Sequence, residues 1–140
     1  MFPEQNRTKG IPMNDKTLTI SSLLAILFFS FHWAYDIVFK MAPGDLSALF
    51  GILILVVWLY GTLVVGDRRS GCIIMLLGGL SGLFALVLHL RGAGLVGPRV
   101  ANSSGVFLWV WTLLALGGTS AFSTILAARA LWKGARAARP

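Results

Sequence analysis

Apolar residues fall into four long blocks, Thr17 to Phe39, Leu46 to Val65, Cys72 to Leu90 and Val106 to Trp132. Short clusters of charge, glycine and proline separate them. Each block is about 19 to 27 residues, and at about 1.5 Å of rise per residue some 20 helical residues cross a hydrocarbon core of about 30 Å. In lipid every backbone N–H and C=O must be satisfied within the segment, and no stretch alternates long enough to close a barrel. The pattern therefore predicts an all-α integral membrane protein, an antiparallel four-helix transmembrane bundle over residues 17–133. A polar N-terminal tail (1–16) and a basic C-terminal tail (134–140) flank it. Met13 is a second candidate start.

The connections set the expected topology. Pro43-Gly44-Asp45 predicts a tight turn, and Gly66 to Gly71 another, so the first three spans should pack as antiparallel neighbours. The third connection, Arg91 to Ser104, is long enough to fold over one end of the bundle. It contains Asn102-Ser103-Ser104, which matches a glycosylation acceptor but reads as a chance occurrence in a bacterial chain.

Composition agrees with this reading: 56 % of residues are hydrophobic and 12 % charged, with a mean hydropathy of +0.80. A net charge of +7 in a soluble chain would point to nucleic acid. Here the placement of the cations has a simpler cause. Arg7, Lys9 and Lys16 precede the first span, Arg68 and Arg69 join spans two and three, and Arg129, Lys133, Arg136 and Arg139 end the chain. Only Lys40, Arg91 and Arg99 fall on the other side. Cytoplasmic loops carry the excess of Lys and Arg, which predicts both termini in the cytoplasm and, for a bacterial host, location in the inner membrane. The lone Cys72 forms no intramolecular disulfide. The first block lacks an A-x-A-like cleavage site, so it reads as a retained span and not a signal peptide.

The fourth block should continue as a helix past the membrane. Arg129, Lys133 and Arg136 recur at i, i+4 and i+7 beside Trp132, a face suited to anionic lipid headgroups. Trp109 and Trp111 fit an aromatic belt at the opposite interface.

Candidate chemistry is confined to a few polar residues within the blocks. His32 and Asp36 stand at i and i+4 on one helical face, continued by Ser21, Ala25 and Phe39, with Tyr35 at its edge. An ionised Asp in lipid costs roughly 2.5 to 3.5 kcal/mol at a helix centre, so this stripe should face protein or water. On the third span Gly78, Gly82, Ala85 and His89 recur at helical spacing, so the face that permits close approach also carries a histidine. Rise per residue puts Asp36 level with His89 and His32 about 5 Å deeper, near Arg91. Gly117 and Gly118 are further packing positions, serving the bundle or an oligomer. Thr112, Thr119 and Ser123 read as packing residues whose hydroxyls bond back along their own helix.

The cluster His32, Asp36 and His89, with Tyr35 and Arg91, admits several readings. The plainest is an Asp–His contact holding helices together. Others are a proton or cation pathway, or a bis-histidine haem, against which the 5 Å offset of about one helical turn counts. No local motif such as H-E-x-x-H supports a metal, although two His and one Asp form an open site in principle. No phosphate-binding glycine loop or nucleophile elbow is present, so the chain does not read as an enzyme and no cofactor is predicted. The expected partners are the bilayer, other membrane subunits or further copies of the chain, and not nucleic acid. The expected role is an accessory or assembly subunit of a larger membrane complex, with a small homo-oligomeric proton-coupled transporter or channel using Asp36 and His89 as the alternative. A haem- or quinone-associated electron-transfer subunit comes third.

Overall fold

The computed structural model of the chain describes residues 16–38, 44–92 and 104–137. The expectations for residues 1–15 and 138–140, for Phe39 and Pro43, for most of the third connection and for Asn102 lie outside these residues, while 134–137, expected as a basic tail, continue the last helix. Four helices make up the described fold: α1 (Lys16–Val38), α2 (Gly44–Leu63), α3 (Arg69–Gly92) and α4 (Val106–Ala137). No strand occurs among the described residues. Three of the helices, α1, α3 through Arg91, and α4, are long and apolar enough to cross a membrane. The fourth, α2, has 20 residues, with a shorter apolar run over Leu49–Leu63.

The turn between α2 and α3 is tighter than its composition implies. The Tyr60 carbonyl accepts from the N–H groups of both Val64 and Val65, at 2.9 and 3.4 Å, closing the end of α2. Val65 C=O then accepts from Arg68 N–H at 2.9 Å, and α3 is already helical at Arg69. Gly71 therefore lies inside the helix, where a Cβ would strike the Val65 carbonyl; only glycine lets the chain pass itself so closely.

α4 packs most extensively on α3 and next on α1, while α2 lies against α1 and α3. Small residues create these contacts. A Cβ at Gly78 would fall on the Trp58 indole, one at Gly82 on Ser120, one at Gly79 on Thr124 and one at Gly117 on Leu86. Ala85 is half-buried against the main core of Leu18, Ala25, Ile26, Phe29, Trp58, Cys72, Met75, Leu116 and Ala127. Gly118 differs from these: it is exposed, with nothing within 4 Å of a Cβ built on it. Among the described residues it is therefore not a packing position.

Polarity is distributed as lipid requires. The buried face of α1 is Leu18, Ser21, Ser22, Ala25, Ile26, Phe29, His32 and Asp36, while Ile20, Leu24, Leu27, Phe31 and Ile37 point outward. A soluble bundle would place its charged and hydroxylated residues on the outer face. Here the reverse arrangement leaves an apolar exterior and a partly polar interior. At its far end α4 runs on to Ala137, where Arg129, Trp132, Lys133 and Arg136 are all exposed. The Arg136 guanidinium lies 3.9 Å over the Trp132 ring, a cation–π contact at the expected headgroup face.

Candidate functional site: a His–Asp–His centre

The i, i+4 spacing on α1 delivers His32 and Asp36 to one buried face, and the last turn of α3 brings His89 against them. Nε2 of His89 lies 3.3 Å from Asp36 Oδ2. Nε2 of His32 lies 3.9 Å from Asp36 Oδ1. The two imidazoles meet edge to face, with ring centroids 4.8 Å apart and planes at 88°. The expected depth difference between the histidines therefore does not separate them, because their side chains converge on the same carboxylate. His32 and Asp36 side chains are 2 % and 8 % exposed, whereas His89 retains 19 %, so His89 is the most exposed member of the centre.

α4 completes the centre, contrary to the expectation for two of its residues. Trp109 is not an interfacial belt residue: it is fully buried, and its indole N–H donates to Asp36 Oδ1 at 3.4 Å. Its ring packs on both imidazoles at 5.2 Å. Trp111, two residues on and on the other face of the helix, is 53 % exposed as the belt reading requires. Thr112 is likewise part of the centre and not only a packing residue, since its Oγ1 sits 3.5 Å from His32 Nδ1 while its hydroxyl donates to the Trp109 carbonyl at 3.1 Å. A signal for both existed in the sequence: Trp109, Thr112, Leu116 and Ser120 recur at helical spacing, which is the buried face of α4.

The remaining candidates are placed differently. Tyr35 is half-buried and packs beside Trp109 and Leu113, at the margin of the centre. Arg91 is exposed at the end of α3. Thr119 bonds back to the Ala115 carbonyl at 2.7 Å, as its type predicts, but the buried Ser123 hydroxyl has no hydrogen-bond partner.

A second buried polar group links α1 to α2. The Trp58 indole N–H donates to Ser22 Oγ at 2.8 Å, Ser22 and Thr62 hydroxyls are 2.8 Å apart, and the Thr62 hydroxyl donates to the Trp58 carbonyl at 2.9 Å. Thr62 has spent its proton, so Ser22 donates to it and the ring is closed. An open groove of about 220 Å³ between α2 and α3 is lined by Leu53, Val57, Trp58, Ile74 and Leu77 among others, and by none of the centre's residues.

The geometry tests the haem reading directly. The two imidazoles stand in edge-to-face contact with Asp36 against both, an arrangement that would have to open before a macrocycle could lie between His32 and His89.

Fold and centre together define a class: a small helical protein, with helices apolar enough for a membrane, enclosing a buried carboxylate between two histidines. Comparison of the chain with protein-family models, curated proteins and solved structures finds no match.

Proposed function

We propose that this chain is a four-span inner-membrane protein with both termini cytoplasmic, and that it handles a cation, as a small homo-oligomeric transporter or channel, through Asp36 and His89. The topology rests on the distribution of Lys and Arg and on contacts that an up-and-down antiparallel bundle would make: Ser22 near the start of α1 meets Thr62 near the end of α2, and Asp36 near the end of α1 meets Trp109 near the start of α4. The functional reading rests on one observation, a buried carboxylate against two imidazoles and an indole N–H in the interior of an apolar bundle. Intramembrane ionisable residues of this kind mark ion and proton pathways, because burying them costs more than an apolar packing would.

Proteoliposomes loaded with a pH-indicator dye and held under an imposed potential test it, with and without external divalent cation. Wild-type vesicles should show flux above protein-free vesicles, and Asp36→Asn should abolish it with the helical fold intact. Unchanged flux in that variant removes Asp36 from the mechanism.

Gly118 favours a second reading. An exposed glycine on α4 with open space around it suits close approach of a further helix, either from another copy or from a larger complex in which this chain is an accessory subunit. The native mass and composition after gentle extraction decide between them. A defined complex with other polypeptides supports the accessory role, and a lone monomer with normal fold ends it.

A further inference from the structure

Hydrogen-bond accounting at the His–Asp–His centre reaches beyond a generic cation. The Thr112 hydroxyl gives its proton to the Trp109 carbonyl, so toward His32 it offers only lone pairs. His32 Nδ1 is 3.5 Å away, a contact it makes as donor in the tautomer protonated at Nδ1. His32 Nε2 is then a lone-pair donor. It is buried, has no hydrogen-bond partner, and faces Asp36 Oδ1 at 3.9 Å. A ring nitrogen and a carboxylate oxygen turned toward each other call for a positive species between them, a shared proton or a metal ion, and 3.9 Å is too long for a shared proton.

We infer that His32 Nε2, His89 Nε2 and Asp36 form a binding site for a divalent first-row transition-metal ion of the zinc type, with the fourth position left to water or an incoming ligand. The inference deepens the cation reading above and rests on it only for the claim that the ion moves. Tetrahedral coordination with bonds near 2.0–2.2 Å sets donor atoms about 3.3 to 3.5 Å apart. The His89–Asp36 pair is at 3.3 Å, and all three donors lie within 4.8 Å of one another, so small side-chain rotations close the set. The donor chemistry selects the ion class: two imidazoles and one carboxylate suit zinc, cobalt, nickel or iron(II). They are too nitrogen-rich for calcium or magnesium and lack the thiolates of a soft copper(I) site.

The surroundings match a metal site in two further respects. Thr112 holds the second nitrogen of His32, and Trp109 donates to the carboxylate, the outer-shell hydrogen bonds that orient ligands. Partial exposure of His89 supplies an entry side.

The test uses full-length protein purified in detergent without a polyhistidine tag and titrated with Co²⁺. Expected are one equivalent bound per chain, the intense visible absorption of a tetrahedral ion, displacement by Zn²⁺ and none by Mg²⁺. His32→Ala, His89→Ala and Asp36→Asn should each abolish the spectrum while helical circular dichroism is retained. Should one of these fail to fold, Thr112→Val serves in its place, with affinity lowered by about 10- to 100-fold through loss of the outer-shell contact. Absence of a Zn²⁺-displaceable spectrum, or its survival in folded His32→Ala and Asp36→Asn, overturns the site. Flux lost in Asp36→Asn without Co²⁺ binding also overturns it and leaves the general cation reading standing. Metal bound without any flux supports it and ends the transport reading.

Discussion

The Ser22–Trp58–Thr62 ring and the His32–Asp36–His89 centre both bury polar side chains on the same face of α1, about 15 to 21 Å apart at 1.5 Å per residue. They reach opposite states of satisfaction. In the ring each hydroxyl proton and the indole N–H has an acceptor, and every donor–acceptor distance is 2.8 or 2.9 Å. In the centre the contacts are 3.3 to 3.9 Å, and the buried Nε2 of His32 has no hydrogen-bond partner. Satisfied buried polar groups rigidify a structure, whereas partly satisfied ones are costly to keep. The comparison separates a device that joins helices from one arranged around something else.

Truncating the ring should cost the most stability. Trp58 is 1 % exposed and fills the space beside Gly78. Trp58→Ala should therefore destabilise by about 3–5 kcal/mol through the cavity it leaves, seen as an early transition in thermal unfolding in detergent. A loss below 1 kcal/mol, roughly the level of a surface change, would mean that the α1–α2 contact does not hold the fold. Filling the opposite side, Gly78→Val, should cost about 1–3 kcal/mol by overpacking against the same indole.

Ser22→Ala isolates the hydrogen bonds from the packing. It strips the Trp58 N–H of its acceptor and should cost about 1 kcal/mol. A double-mutant cycle with Thr62→Val should show coupling, and additive effects would mean that the ring is not cooperative.

The centre should behave in the reverse sense. Asp36→Asn removes a buried carboxylate whose neighbours do not fully satisfy it, so stability should stay within about 0.5 kcal/mol or rise, even as metal binding and flux are lost. A destabilisation as large as that of Trp58→Ala would show that the centre is a helix clamp like the ring, and the contrast between them would fail.

The smallest effect belongs to Gly118. With nothing near its Cβ position, Gly118→Ala should stabilise the single chain by up to about 1 kcal/mol from helix propensity alone. A fall in native mass on the same substitution would place Gly118 at a contact between chains.

The four helices were legible because hydrophobic blocks and 3.6-residue periodicity are local properties, and lipid penalises any other backbone state. The pairing of His32 with Asp36 was legible for the same reason, since one helix fixes i and i+4. His89 was reachable by one further step, because Gly78, Gly82 and Ala85 mark the face of α3 that approaches its neighbours. The roles of Trp109 and Thr112 were legible only in part: their spacing with Leu116 and Ser120 marks one face of α4, but whether that face meets headgroups or the interior depends on how the helix is rotated, and Trp109 and Trp111 lie on opposite sides of that choice. Arg91 and Gly118 show the same limit, since both are exposed and helix spacing alone does not fix which face of a helix its neighbours cover. The sequence by itself determined the helices, their apolar exterior and the register along each one. Only the tertiary structure decided which hydroxyl faces which ring, which buried polar group is closed and which is left open, because hydrogen-bond satisfaction depends on distances of a few tenths of an ångström between helices that no single helix encodes.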